Sequence, residues 1–255
     1  MIFCCEPEFD DWFPIIQNLN IPIINNITQT IILNPNTIII PLKFSQIKLI
    51  TSILNLDNYP KVLCPKNYDT IDILNNKINF YYFMINNNFE NLIPITYKIN
   101  NEIIQQISYP CIFKLAITFG GKDSTICKNP RDLKQCEKNK NDYFIQEFIM
   151  GSSERSAHLF IRNGIIKWAK CYELKHHNNF YIHKGRMEKY KKISDFDFNL
   201  FKDIFMRLDY TGFACIDFKI INGNIKIFEI NPRLGGTLVH DEDFKELITY
   251  INENV

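Results

Sequence analysis

The stretch from 212 to 233, GFACIDFKIINGNIKIFEINPR, constrains the fold more than any other part of the chain. Two apolar runs typical of β-strands flank the triplet Asn222-Gly223-Asn224, which is a turn signal. The stretch therefore predicts an antiparallel hairpin. Unlike an ordinary core hairpin, it carries an acid, an amide and a guanidinium at alternate positions, namely Glu229, Asn231 and Arg233.

The register of this hairpin decides where its acidic side chains lie, because successive side chains of a strand point to opposite faces. The predicted faces are Cys215, Asp217 and Lys219 on the first strand, and Ile225, Ile227, Glu229 and Asn231 on the second. A three-residue loop puts Asp217 directly opposite Glu229, whereas a two-residue Asn-Gly turn puts the acids on opposite faces. We predict the three-residue loop, because Gly223 or Asn224 can adopt a left-handed conformation.

Opposed carboxylates repel each other, and a divalent cation between them removes the conflict. Asn231 adds a neutral oxygen on the same side, and hard oxygen ligands of this kind suit Mg²⁺ or Mn²⁺, which often binds phosphate as well. Arg233 can hold a further anion through its guanidinium. The alternative is an exposed hairpin with two solvated acids, and the hairpin by itself does not decide between the two.

Two segments upstream have features of a nucleotide site. Lys114 ends a predicted strand, PCIFK, and is followed by LAITFGGKDS, in which paired glycines let backbone N–H groups approach an anion. Lys114 and Lys122 would supply positive charge there. Neither GxxxxGK[ST] nor GxGxxG occurs in the sequence, and an ordinary hairpin loop is the alternative.

The second segment is YFIQEFIMGSSE, residues 143–154. A strand that leads into a hinge can bind adenine through backbone C=O and N–H groups, and Glu154 can accept hydrogen bonds from ribose hydroxyls. An ordinary strand with a solvated acid is the alternative.

Composition limits the class of protein. A chain of 255 residues with 46% hydrophobic residues can bury a sizeable core, and a net charge of +1 gives no field that favours nucleic acid. No stretch is long and apolar enough for a membrane span or a leader. Eight cysteines without a CxxC pair favour reduced thiols over a disulfide framework. We therefore expect a cytoplasmic protein with neither nucleic acid nor membrane as a partner.

Along the chain, strands alternate with helices in the first third, which predicts a small parallel α/β layer. The elements predicted there are strands at 2–5, 21–24, 37–42 and 61–64 and helices at 10–19 and 44–54. Beyond them we predict helices at 68–87 and about 196–209, strands at 108–114, 124–127, 143–149, 156–162 and 165–173, and a helix that Asn129 caps and Pro130 opens.

Taken in order, four motifs resemble the ATP-grasp superfamily of carboxylate–amine ligases over roughly residues 60–240: CPKNYDTIDILNNKINFYYFM, YPCIFKLAITFGGKDS, IQEFIMGSSE and TGFACIDF…IFEINPRLGG. The similarity is to domains like those of carbamoyl-phosphate synthase and D-alanine ligase. It implies an α/β (α+β) chain with the ATP-grasp fold and a shortened N-terminal α/β pre-ATP-grasp domain. The implied domains are the N-terminal domain at 1–66, a small lobe with the glycine-rich loop at 67–150, and a C-terminal lobe with the metal-binding hairpin at 151–255.

The resemblance also implies a role for each matched residue. ATP would be bound by Lys77 and Lys114 at the phosphates, Gln146, Glu147, Phe148 and Ile149 at adenine, and Glu154 at ribose. Mg²⁺ or Mn²⁺ would be bound by Asp217, Glu229 and Asn231, and Arg233 and Lys122 would act on the transferred phosphate.

The implied activity is an ATP- and Mg²⁺-dependent ligase that joins an amino acid or small acid to an amine through an acyl-phosphate. The alternatives are a nucleotide-binding regulator and a kinase-like phosphotransferase. The partners would be small-molecule carboxylates and amines, and the oligomeric state stays open, with a homodimer as one alternative. His183, Lys184 and Arg186 lie in a basic, aromatic segment that either binds an anionic substrate or is a solvated loop. The histidines are expected to be structural or on the surface.

Overall fold

Three β-sheets and seven α-helices make up the part of the chain that the computed structural model describes. The described residues are 2–7, 12–24, 37–98, 107–118, 121, 123–136, 142–182, 190–238 and 241–255.

The first sheet is parallel and confirms the α/β layer predicted for the first third of the chain. Its strands are β1 (Ile2–Cys5), β2 (Ile23–Ile24) and β3 (Ile38–Ile40), in the order β2-β1-β3, and its helices are α1 (Trp12–Asn18) and α2 (Phe44–Ile53). The strand predicted at 61–64 is wrong as a strand, because it is reduced to a single bridge between Val62 and Ile39.

The second sheet is antiparallel, with the order β4-β7-β5-β6. Its strands are β4 (Thr96–Lys98), which was not predicted, β5 (Cys111–Leu115), β6 (Ser124–Cys127) and β7 (Tyr143–Glu147). Helix α5 (Pro130–Cys136) follows β6. Its predicted cap is confirmed, because Asn129 Oδ1 accepts hydrogen bonds from the N–H groups of Arg131 and Asp132 at 2.9 and 3.1 Å.

The third sheet, with the order β10-β9-β8-β11-β12, is also antiparallel. Its strands are β8 (Ser153–Arg162), β9 (Ile165–Lys175), β10 (Lys191–Ile193), β11 (Gly212–Ile221) and β12 (Asn224–Asn231). One face is apolar and packs against α3 (Tyr68–Asn75), α4 (Lys77–Asn86) and α6 (Lys202–Arg207). The single helix predicted at 68–87 is therefore wrong, because Asn76 ends α3 and caps α4 by accepting from the N–H groups of Ile78 and Asn79. The helix predicted at about 196–209 is a short 3₁₀ turn, Phe198–Phe201, followed by α6.

The hairpin β11–β12 has the predicted pairing but not the predicted turn. Ile221 pairs with Asn224, so the loop is the two-residue Asn222-Gly223 turn, with φ of 52° and 80° as a type I′ turn requires. A β-bulge at Phe228 adds one residue to β12, and this bulge restores the pairing of Asp217 with Glu229.

The bulge also corrects the predicted face of β12. Ile225 and Ile227 pack in the core of the third sheet, and only after Phe228 does alternation place Glu229 and Asn231 on the other face, with Ile230 in the core. The prediction that all four alternate residues share one face is therefore wrong for the two isoleucines.

The last helix, α7 (Asp241–Asn254), was not predicted and joins the first sheet to the third. Its Phe244, Leu247 and Ile251 are fully buried in a cluster with residues of α1, β1 and the third sheet, and the rings of Phe244 and Trp12 meet edge to face at 5.2 Å. Among the described residues no helix is both long and apolar enough to cross a bilayer. All eight cysteines are free thiols.

Gly212 gives a stability prediction for the contact between the third sheet and the segment before α3. A Cβ at Gly212, where φ is +126°, would lie 2.9 Å from backbone atoms of Cys64, so Gly212→Ala combines backbone strain with a steric clash. We expect it to lower the free energy of unfolding by about 2–4 kcal/mol in urea denaturation.

Gly223→Ala is the matched control, because φ is +80° there and nothing lies within 4 Å of the added Cβ. Backbone strain alone should lower the free energy of unfolding of Gly223→Ala by about 1 kcal/mol. Equal losses in the two variants would contradict the proposed clash with Cys64.

Candidate functional site

The second face of the third sheet carries a group of polar side chains, which we call the polar face. Its members are Glu154, Ser156 and His158 of β8, Asp217 and Lys219 of β11, and Glu229 and Asn231 of β12. Residues paired across strands lie on the same face, and Asp217 pairs with both Ser156 and Glu229. The sheet thereby brings together acids that are far apart in sequence.

Asp217 and Glu229 form a half-buried carboxylate pair in which the two groups are held differently. Ser156 Oγ donates a hydrogen bond to Asp217 Oδ1, and Lys77 Nζ lies 2.8 Å from Glu229 Oε2. Burial and the charge of Glu229 raise the pKa of Asp217 well above its ordinary value. Burial also acts on Glu229, but the ammonium of Lys77 outweighs it and holds the pKa of Glu229 below its ordinary value. Asp217 is therefore the more readily protonated acid of the pair.

Lys77 joins this pair to the segment that precedes the paired glycines. It is the first residue of α4, and its Nζ also donates to the carbonyl of Thr118 at 2.9 Å. Its backbone N–H donates to the carbonyl of Ala116 at 3.0 Å. Three elements, α4, β12 and the loop after β5, thus meet at one ammonium.

Lys114 is a second lysine beside the polar face. It is only 9% exposed, its Nζ donates to Gln146 Oε1 at 2.9 Å, and Gln146 Nε2 donates to Thr96 Oγ1 at 2.8 Å. The Lys114 ammonium lies 5.4 Å from the ring centroid of Phe228, the residue of the bulge. Burial, together with the charge of Lys77, lowers the pKa of Lys114 to about 8.

The hinge, residues 147–151, follows β7 and carries backbone groups suited to a base. The N–H of Glu147 donates to the carbonyl of Ile95 at 2.7 Å, and that of Phe148 donates to the carbonyl of Pro110 at 3.3 Å. Within the described part of the chain, the N–H of Ile149 donates no hydrogen bond. The hinge therefore has a backbone donor available for a ligand.

The segment after β12 is held by buried side chains. Arg233 is 6% exposed, and its Nη1 donates to the carbonyl of Leu234 at 3.1 Å. His158, fully buried, accepts from the N–H of Gly235 at Nδ1 and hydrogen-bonds Thr237 through Nε2. This confirms a structural role for His158.

The donor set on the polar face fits a hard divalent cation. Asp217 and Glu229 face each other across the hairpin, and Asn231 lies next to Glu229, donating to its Oε1 at 3.2 Å. Two carboxylates and an amide oxygen are ligands that Mg²⁺ and Mn²⁺ accept. The residues that the structure describes contain no cluster of three or more His, Cys, Asp or Glu side chains suited to a metal. Oxygen atoms from another molecule, such as phosphate, would have to complete the coordination shell.

The structure places most of the predicted site residues close together. The charge of Lys77 acts on the pKa values of Lys114 and Glu229, and the charge of Glu229 acts on those of Lys114, Glu154 and Asp217. Gln146 bonds Lys114 directly. Glu147, Phe148 and Ile149 form the start of the hinge. Lys122, His183, Lys184 and Arg186 lie outside the described residues.

Sequence reasoning missed two residues of the polar face, Lys219 and Ser156. Lys219 is two residues after Asp217, so the alternation of the strand predicted that both lie on the same face. It did not predict which groups Lys219 contacts. Ser156 became significant only through the pairing of β8 with β11.

Comparison with known proteins identifies the family. The model of a family described as "ATP-grasp domain" matches residues 74–237, which is more than half of the chain. No curated protein matches the chain significantly by sequence.

Solved structures show the same fold at low identity. The L-amino acid ligase of Bacillus licheniformis is 12% identical with a TM-score of 0.66, over 93% of this chain and 68% of that one. A D-alanine–D-alanine ligase of Bacillus anthracis complexed with ATP is 14% identical with a TM-score of 0.61, over 99% and 95% of the two chains. The biotin carboxylase of Campylobacter jejuni is 14% identical with a TM-score of 0.62, over 100% and 66%.

The lowered pKa of Lys114 gives a pH prediction. Because the unfolded chain keeps its proton up to the ordinary pKa of 10.5 and the folded chain loses it at about 8, unfolding takes up a proton between these values. The free energy of unfolding of the wild-type protein should rise across this window, by at most about 1.4 kcal/mol per pH unit, relative to Lys114→Met. Urea titrations at intervals from pH 7 to pH 10 measure the difference, and parallel curves for the two proteins would contradict it.

Proposed function

The chain belongs to the ATP-grasp domain family, and on this basis we propose that it is an ATP- and Mg²⁺-dependent ligase that joins a carboxylate to an amine. The observation that carries the proposal is the pair of opposed, half-buried carboxylates Asp217 and Glu229 beside Lys77 and Lys114. Such an arrangement matches a cation and the phosphates of a nucleotide better than it matches a purely structural hairpin. The 1–66, 67–150 and 151–255 domain division is part of the same proposal.

ATP and Mg²⁺ or Mn²⁺ are the cofactors of this family, and the residues on the polar face fit them. Asp217, Glu229 and Asn231 would hold the metal, which would polarise the phosphoryl oxygens and offset their charge. Asp217 would hold the metal as an ionised carboxylate, and Glu229 would hold it in place of part of its ion pair with Lys77. Lys77 would then be available for a phosphate, and Lys114 provides a second positive charge beside it.

The nucleoside would lie along the hinge. Its base would bind the carbonyl of Glu147 and the N–H of Ile149, next to Phe148 and Gln146, and its ribose would bind Glu154. Among the described residues the N–H of Ile149 has no hydrogen-bond acceptor, which supports this placement because a base nitrogen could accept a hydrogen bond from it.

In the proposed reaction a carboxylate oxygen of the substrate attacks the γ-phosphorus of ATP, and the bond from that phosphorus to the bridging oxygen breaks with ADP as leaving group. The amine then attacks the acyl carbon, inorganic phosphate leaves, and the amine gives up a proton. The protein contributes position and charge rather than a nucleophile. Arg233 and Lys122 would neutralise the transferred phosphoryl group.

We assign His183, Lys184 and Arg186 to binding of an anionic substrate, on the basis of their basic and aromatic sequence surroundings. Arg186→Ala should then raise the Michaelis constant for the substrate, and an unchanged constant would remove Arg186 from the site.

A screen of amino acids and small carboxylates in pairs, with ATP-dependent phosphate release as the signal, tests the activity. A ligase releases phosphate only with both partners, and replacing the amine by hydroxylamine traps the acyl group as a hydroxamate. A kinase-like phosphotransferase would instead accumulate a stable phosphorylated product without an amine. A regulator would bind ATP and release no phosphate with any pair.

Asp217→Asn tests the metal site. The change keeps the shape of the side chain and removes its charge, so we expect phosphate release to fall by at least about 100-fold. Binding of Mn²⁺, followed by electron paramagnetic resonance, should weaken in parallel. Asp195→Asn, at an exposed position, is the control and should change neither quantity. Full Mn²⁺ binding by Asp217→Asn would contradict the assignment.

A further inference from the structure

Lys219 is a lysine buried to 2% exposure on the polar face, two residues after Asp217. Its Nζ donates to the carbonyls of Ile149 and Gly151, both at 3.0 Å, and lies 5.6 Å from the ring centroid of Phe148. Burial of an ammonium is costly unless it is hydrogen-bonded or paired. Three residues of the hinge, Phe148, Ile149 and Gly151, thus lie around this one ammonium.

The hinge needs such a support, because it leaves β7 and does not enter β8 until Ser153. Its N–H groups at Phe148 and Gly151 are bonded outward, to Pro110 and to Asn179, both at 3.3 Å. Its carbonyls at Ile149 and Gly151 are bonded by Lys219, which lies on a strand nearly seventy residues away in sequence. Lys219 thus fixes the hinge to the sheet that carries the carboxylate pair.

Lys219 also faces Glu154. β11 pairs with β8 up to Phe218 and Arg155, and one further step along the two strands sets Lys219 beside Glu154. Burial raises the pKa of Glu154, and the charge of Lys219 is the strongest influence against that rise, followed by Lys114. An ionised carboxylate at this position accepts hydrogen bonds from hydroxyl groups, whereas a neutral one competes less well for them.

We propose that Lys219 is the positioning residue for the nucleoside half of ATP, holding the hinge against the base and placing a positive charge beside the ribose-side carboxylate. The inference rests on the proposed function and deepens it. Lys219 acts on the base and ribose through the hinge and Glu154, whereas Lys77 and Lys114 act on the phosphates.

The chain offers a matched control in Lys226, which pairs directly with Lys219 across the hairpin. Its Nζ donates to two backbone carbonyls as well, those of Asn91 and Ile93, at 3.0 and 3.1 Å. Both carbonyls lie outside the hinge. Removal of Lys226 therefore loses the same kind of contact without touching the proposed nucleoside site.

The experiment compares ATP with inorganic tripolyphosphate, which has the phosphates and lacks the nucleoside. Both are titrated calorimetrically with Mg²⁺ present, and tripolyphosphate is also measured by competition against ATP. We expect Lys219→Met to weaken ATP binding by about tenfold or more, as for loss of hydrogen bonds from a charged donor. The affinity of Lys219→Met for tripolyphosphate should change by less than about twofold. In Lys226→Met the affinities for ATP and for tripolyphosphate should each change by less than about twofold.

If Lys219→Met weakens the binding of ATP and of tripolyphosphate equally, or weakens neither, the inference is overturned and the proposed function stands. Failure of the wild-type protein to bind ATP would instead overturn the proposed function. If Lys219→Met does not fold, Lys219→Arg decides the question. Arginine keeps the charge, but its larger planar guanidinium cannot occupy this buried position without displacing the hinge carbonyls. Lys219→Arg should therefore still weaken the binding of ATP selectively, and an unchanged ratio of the two affinities would refute the inference.

Discussion

The repulsion between Asp217 and Glu229 is the constraint on which the rest of the site depends. Two carboxylates that pair across adjacent strands in a partly buried position cannot both be ionised without a nearby positive charge. In this structure Lys77 forms an ion pair with Glu229, and Asp217 accepts a hydrogen bond from Ser156. The pair thereby connects three elements, α4, β8 and the hairpin.

The bulge at Phe228 makes this pairing compatible with a tight turn. An Asn-Gly turn of two residues favours the right-handed twist of a hairpin, but its register would send Glu229 to the apolar face. One extra residue reverses the alternation, so β12 contributes Ile225 and Ile227 to the core and Glu229 and Asn231 to the polar face. The ring of Phe228 then lies next to the Lys114 ammonium, which places a β5 lysine over the hairpin.

Local patterns were sufficient for the parallel layer, the cap at Asn129 and the pairing of the two acids, because each depends on neighbours in sequence. The pairing of the acids was predicted from a three-residue loop, whereas the loop has two residues and the bulge at Phe228 supplies the third. Both arrangements place Asp217 opposite Glu229, so this pairing does not distinguish them. The break at Asn76 was missed because apolar spacing continues through it. The carbonyls that bond Lys219 come from a hinge far away in sequence, and no periodicity encodes such a contact.

The balance of charge around the polar face argues for an anionic ligand. Four basic side chains, Lys77, Lys114, Lys219 and Arg233, lie among three acids, Glu154, Asp217 and Glu229. Burial lowers the pKa of Lys114, and the charge of Lys77 lowers it further. A neutral ligand would leave the surplus of positive charge in place, and a cation alone would add to it. A cation that arrives with a polyphosphate offsets both sets of charges at once, which is the physical reason to expect metal and nucleotide to bind together rather than in isolation.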